Sequence, residues 1–144
     1  MMDYELTADG LLARPSLGDG DVLGIQLCGK HGARVTVRDI GGQLYNLEFS
    51  GVQRLLCDGF AQGNIISAIL ITTRAEPYVH TVKRLLGELY PSVEEPYRTQ
   101  HERWVGDLTR KVADGHLTLV EIAPSYGCEI FVLCEAVKIN PVNA

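Results

Sequence analysis

The apolar residues of this chain change their spacing once and then change back. Between Val22 and Thr72 they recur at every second residue or in short unbroken runs. Between Val79 and Val112 they recur at every third or fourth, and from Thr118 to Ile139 the period of two returns. Side chains alternate across a strand but return to one helix face after three or four residues, so the pattern prescribes strands, a helical pair, then strands. Helices and strands that do not alternate point to an antiparallel sheet rather than a doubly wound one. The expectation is an α+β fold: a mostly antiparallel sheet of about six or seven strands, with two helices over about 78–90 and 100–113 inserted before the last two strands.

The punctuation supports that division. Residues 1–21 end in the loop "RPSLGDGD", after which Leu23, Ile25 and Leu27 alternate with Gly24 and Gln26. "CGKHG" turns the chain into a strand carrying Val35 and Val37, and the paired glycines of "DIGGQ" suit a tight hairpin. Tyr45, Leu47 and Phe49 share one face of the next strand. Val52 to Cys57 reads as a fourth strand or a bulged continuation of the third. Turns at "DGF" and "QGN" then lead into Ile65–Thr72, which is apolar on nearly every residue and so reads as central, covered on both faces. After Pro77, Val79, Val82, Leu85, Leu86 and Leu89 form one helical stripe. "YPSVEEPYR" is a loop, Thr99 with Glu102 reads as a capping box, and Asp114-Gly115 as the stop of a helix through Trp104, Val105, Leu108 and Val112. Thr118, Val120 and Ile122 share a face, "APSYG" reads as a turn, and Ile130–Ile139 reads as the closing strand.

A length of 144 residues with 46% hydrophobic and 22% charged residues suits one globular domain spanning 1–144. The net charge of −5 is spread evenly, with eight acids and five bases in residues 1–72 and ten and eight in 73–144. That balance excludes a backbone-gripping nucleic-acid protein. The longest apolar stretch, Ile65–Ile71, is far too short for a membrane helix, and the acidic start Met1-Met2-Asp3-Tyr4-Glu5 lacks the features of a secretory signal. A cytoplasmic protein is expected, with Cys28, Cys57, Cys128 and Cys134 as reduced thiols.

No pattern assembles a reaction centre. Cys28 and His31 with Cys128 and Cys134 offer zinc-type ligands, but the last two lie on one strand about 20 Å apart end to end. Ser125 lacks a nucleophile-elbow setting, and His80 and His101 read as solvated helix residues. "GDGD" carries Asp19 and Asp21 without the remaining ligands of a calcium loop. "GKHGAR" lacks the ending of a phosphate-binding loop. The chain therefore reads as a protein-binding domain rather than an enzyme, with no cofactor or metal. Its candidate partner contacts are the turn and loop acids Asp19, Asp21, Glu94 and Glu95. A homo-oligomeric module burying an apolar patch around Tyr90, Tyr97 and Trp104 is the alternative, and a cysteine or zinc enzyme ranks last.

Three segments taken together carry a family likeness: "RPSLGDGDVLGIQL", "LEFSGVQRLLCDGFAQGNIISAILI" and "APSYGCEIFVLCEAVKI". They resemble the turn and core motifs of bacterial immunity proteins of the kind classed as immunity protein 50. The matching positions are Pro15, Ser16, Asp19, Asp21, Val22, Phe49, Val52, Phe60, Asn64, Ile66, Ser125, Gly127, Phe131 and Cys134. The opening motif departs from the pattern at Leu17, where an aromatic stands, and at Gly18, where a histidine stands. The resemblance implies a protein that neutralises a cognate toxin by binding it, with no reaction catalysed.

Overall fold

A computed structural model describes residues 3–73 and 79–143, the side chain of Val79 excepted. Met1, Met2, Pro77 and the expected helix start at residue 78 lie outside the described residues. In chain order the elements are β1 (Glu5–Leu6), β2 (Leu12–Arg14), β3 (Asp21–Cys28), β4 (Gly32–Arg38), β5 (Leu44–Ser50), β6 (Arg54–Asp58), β7 (Ile65–Thr72), α1 (Val79–Leu89), α2 (Arg98–Ala113), β8 (Thr118–Tyr126), β9 (Glu129–Cys134) and β10 (Ala136–Pro141). The α+β class stands. The helices precede three strands rather than two, because the expected closing strand breaks at Glu135 into β9 and β10.

The main sheet has eight strands in the order β10-β5-β4-β3-β7-β8-β9-β6, every neighbour antiparallel, and β1 and β2 form a separate hairpin. Its two outer strands continue strands already inside it. β6 follows β5 after residues 51–53, and β10 follows β9 after Glu135 alone. The two jogged segments pair along their lengths, from Tyr45↔Pro141 to Ser50↔Ala136 and again from Arg54↔Leu133 to Asp58↔Glu129. Across the jog, Glu135 N–H donates to Ser50 O at 3.0 Å and Gln53 N–H to Leu133 O at 2.8 Å. The sheet thus closes on itself as a flattened barrel. Of the two readings of Val52–Cys57, the separate short strand is the one found: β6 begins at Arg54 and crosses to pair with β9. Gly51 permits the jog, since its φ is 59° and a Cβ there would overlap the side chain of Glu135.

Inward-facing residues from both halves fill the barrel, among them Val35, Val37, Leu47, Ile69, Ile122, Ile130, Val132 and Ile139. The seam between β3 and β7 is short. It holds one register pair, Asp21↔Ile65, with Asp19 N–H to Ile66 O, Ile66 N–H to Gly20 O and Val22 N–H to Asn64 O, each 2.8 Å. The pair joins the first residues of two antiparallel strands, so the rest of β3 and the rest of β7 run in opposite directions and do not face each other. The β1–β2 hairpin lies along β7 through the Leu11↔Leu70 bridge, and Tyr4, Leu6, Leu12 and Leu17 pack into the core there.

Two local expectations change. The "APSYG" segment is not a turn: β8 runs on to Tyr126, with Pro124 opposite Ile66 where the register of β7 shifts. A bulge tolerates the missing proline N–H. Thr99 does not cap a helix either. A turn from Glu94 O to Tyr97 N–H brings Tyr97 to φ −88°, ψ −5°, so α2 begins at Arg98 and no side chain caps it. Its far end follows expectation, with Gly115 N–H donating to Val112 O and His116 N–H to Lys111 O, the paired bonds of a glycine C-cap. Among the described residues, no helix is long and apolar enough to cross a membrane.

Candidate functional site

The outer surface of the barrel is divided chemically. Over β10, β5, β4 and β3 it is polar: Arg34 bonds Glu48 at 3.1 Å, Asn140 reaches the same carboxylate at 2.8 Å, and Thr36 bonds Asn46 at 2.8 Å. Over β7, β8, β9 and β6 it is apolar and takes the helices. Val82, Leu85, Leu86 and Leu89 of α1, with Leu108 and Val112 of α2, pack on Leu70, Leu119, Phe131 and Leu133. One charge sits in that layer. Glu121 is held by both guanidinium nitrogens of Arg84, at 2.8 and 2.9 Å, with 8% of its side chain exposed against 52% for Arg84. Glu129 lies two residues before Phe131, the partner of Glu121. Burial raises its carboxyl, Glu121 and Glu88 push the same way, and Arg84 opposes them.

Where the helical layer ends, aromatic rings reach solvent. Tyr90 follows α1 and meets Trp104 of α2 edge to face, centroids 4.3 Å apart at 78°. The Arg54 guanidinium lies 5.0 Å over the Tyr90 ring, and His101 Nε2–H donates to Tyr90 O at 3.2 Å. His101 is therefore not a plain solvated helix residue; it secures the carbonyl that ends α1. Around this cluster Trp104 remains 44%, Tyr97 65% and Val93 38% exposed. With Gln100 and His101 they line a cleft of about 360 Å³. A neighbouring groove of about 630 Å³ runs between the helices. It is open because Gly87 and Gly106 stand on its walls, and a Cβ at either would meet nothing within 4 Å.

The four acids expected to contact a partner fall into two separate pairs. Asp19 sits at φ 64° in the turn before β3, and Asp21 is ion-paired to Arg38 at 2.9 Å. Glu94 and Glu95 are exposed on the loop between the helices, beside Val93 and Tyr97, and Glu95 lies 3.8 Å from Arg98. Asp21 pairs with the first residue of β7, whereas Tyr90, under the second loop, touches Arg54, whose register partners run through Leu133 and Leu119 to Thr72 at the other end of β7. The pairs thus mark opposite ends of the barrel. Only Glu94 and Glu95 border the aromatic cleft.

Two of the four cysteines, Cys57 and Cys128, meet, and the other two stand apart. Cys28 and His31 flank the β3–β4 turn, Cys128 opens β9 beside Cys57, and Cys134 ends β9 against Thr118 O. Among the described residues, no three His, Cys, Asp or Glu side chains are grouped to hold a metal ion. Burial pushes the Cys128 thiol up to about 11 and the Cys134 thiol up to about 12, and raises Cys57. In native protein at pH 8, iodoacetamide is expected to modify Cys28 and leave Cys128 and Cys134 untouched, read by peptide mass mapping. Their modification should begin only on unfolding or at strongly alkaline pH, where the thiolate forms.

Pro15, Val22, Phe49, Asn64, Ile66, Phe131 and Cys134, seven of the positions that carry the family likeness, are buried. Asn64 is the informative one. Its Oδ1 accepts from Ala61 N–H at 2.8 Å and Cys128 N–H at 3.0 Å, its Nδ2 donates to Ala61 O at 2.8 Å, and its own carbonyl takes the Val22 N–H. Gly127 packs onto this knot at φ 87°; a Cβ there would lie 2.5 Å from both Asn64 Oδ1 and Gly63 O. Reading the sequence, Asn64 is a turn residue and nothing in its neighbours marks it as the tie between three segments. Comparison with protein-family models, curated proteins and solved structures finds no match to this chain.

Proposed function

We propose that this protein is a non-enzymatic binding domain of the immunity type, which neutralises a cognate toxin by covering it, and that the aromatic cleft on α2 is the contact. The observation that carries this reading is the exposure of Trp104, Tyr97 and Val93 together, bordered by Glu94 and Glu95. Large aromatics in a pocket are the usual anchors of protein interfaces, and aromatic faces beside carboxylates suit arginine or lysine side chains. The net charge of −5 favours a basic partner in the same sense. The raised thiols of Cys128 and Cys134 weigh against thiolate chemistry at those positions. A second reading, a self-associating module, draws on the uncovered edge of β3.

Co-expression with the toxin encoded beside its gene tests the proposal. The wild-type chain should bind that toxin and restore growth. Trp104→Ala should weaken binding by about 30-fold or more while leaving the far-ultraviolet circular dichroism unchanged. Glu94→Lys should slow association most at low salt. No binding and no rescue, or full affinity in the Trp104 variant, would sink this assignment.

A further inference from the structure

We propose that β3 pairs with the β3 of a second copy, in an antiparallel ladder whose two-fold axis passes through Ile25. Past the short seam with β7, no backbone hydrogen bond among the described residues joins β3 to any strand but β4. Leu23 to Cys28 is thus an open edge within the run of strands, in addition to the outer sides of the terminal strands β6 and β10. Protein edges of this kind are ordinarily guarded by lysine, proline or an inward charge. Between Val22 and Leu27 there is no charged residue and no proline; the single irregularity is the bulge between Val22 and Gly24.

The exposed side chains on this edge suit a copy of themselves. Leu27 is 75% and Leu23 43% exposed, with Ile25 half-buried between them. Antiparallel pairing about Ile25 sets Leu23 of one copy opposite Leu27 of the other, and Leu27 opposite Leu23. Each side of the axis then gains a leucine pair, and Gly24 meets Gln26. No like charges are opposed, since Asp21 falls beyond the ladder and is already paired with Arg38. A contact that maps a patch onto itself in this way closes as a dimer rather than growing into a fibre. This surface lies on a different strand from the aromatic cleft, so one copy can use both.

Sedimentation equilibrium of the full chain over a dilution series tests the proposal. A monomer–dimer equilibrium is expected. Leu27→Lys should raise its dissociation constant about tenfold, the loss of two cross-strand leucine pairs, without lowering the melting temperature. Trp104→Ala should leave it unchanged. The register has its own test: a Leu23→Cys, Leu27→Cys variant under mild oxidation should give an intermolecular disulfide joining position 23 of one copy to position 27 of the other. The two positions within one strand are too far apart to join. A monomer at every concentration, including one that accepts a foreign peptide strand, would overturn the proposal. So would a dimer indifferent to Leu27→Lys, or a disulfide linking like positions.

Discussion

Asn64→Ala is expected to lower the free energy of unfolding by about 3 kcal/mol, more than its size suggests. The cost comes from what is left behind. Asn64 is 4% exposed, and its amide satisfies the buried N–H of Cys128 together with both polar backbone groups of Ala61. Alanine strands all three, and a buried unpaired N–H costs more than a hydrogen bond gains. N64D is the sharper variant. A carboxylate keeps both acceptor contacts but turns the donor facing Ala61 O into a repelling oxygen. The introduced carboxyl prefers its protonated form, which can donate there again. Its deficit should therefore be largest at neutral pH and shrink as pH falls, whereas that of the alanine variant should not. Urea unfolding followed by circular dichroism at both pH values distinguishes them; a loss under 1 kcal/mol for N64A would show that water replaces the amide.

Arg84→Met should cost about 2 kcal/mol, by leaving the Glu121 carboxylate under the helical layer with no counter-charge. The usual penalty for breaking a buried pair is reduced here because Arg84 is half exposed. Replacing both by leucine should recover most of the loss, since the site is otherwise lined by Leu70, Leu119 and Phe131. The pH dependence follows from Glu129. Its carboxyl is raised by burial first and then by Glu121 and Glu88, so it destabilises the fold at pH values above its folded titration and ceases to do so once protonated. Arg84 partly relieves this. The methionine variant should thus fall furthest behind the wild type at neutral pH and close the gap below the ordinary glutamate value of 4.5. Thermal melts of the two singles and the double across that range provide the check.

What the sequence revealed, and what it hid, divides along contact range. Period and capping signals act within a few residues, so the helical stripe at Val82, Leu85, Leu86 and Leu89 and the stop at Gly115 were legible. The large aromatics Tyr90, Tyr97 and Trp104 could be named as a group from the sequence, but their meeting at one cleft could not, since Tyr90 and Tyr97 lie outside the helices and are placed by the loop between them. The choice of strand partner is not local. Nothing between Val52 and Asp58 announces that β6 pairs with β9, or that Glu135 splits the closing strand, since both facts arise from the fit of two jogs against each other. Thr99 and Glu102 matched a capping motif, but the preceding turn had already brought the backbone to helical angles. Local sequence marks each acid singly, and only the folded chain shows that Asp19 and Asp21 stand apart from Glu94 and Glu95.

The seam that joins β5–β6 to β9–β10 also sets an order of events during folding. It unites Tyr45 with Pro141 and Asp58 with Glu129, so its closure entropy is met only after most of the intervening chain has been arranged. The β3–β4–β5 meander and the two helices depend on near neighbours and can form first. Until the last ladder zips, β6 and β10 present bare strand margins, and the nascent polypeptide is most prone to clump in that interval. Synthesis delivers β10 after every other strand of the sheet, so a nascent chain remains an unsealed precursor until Pro141 has emerged.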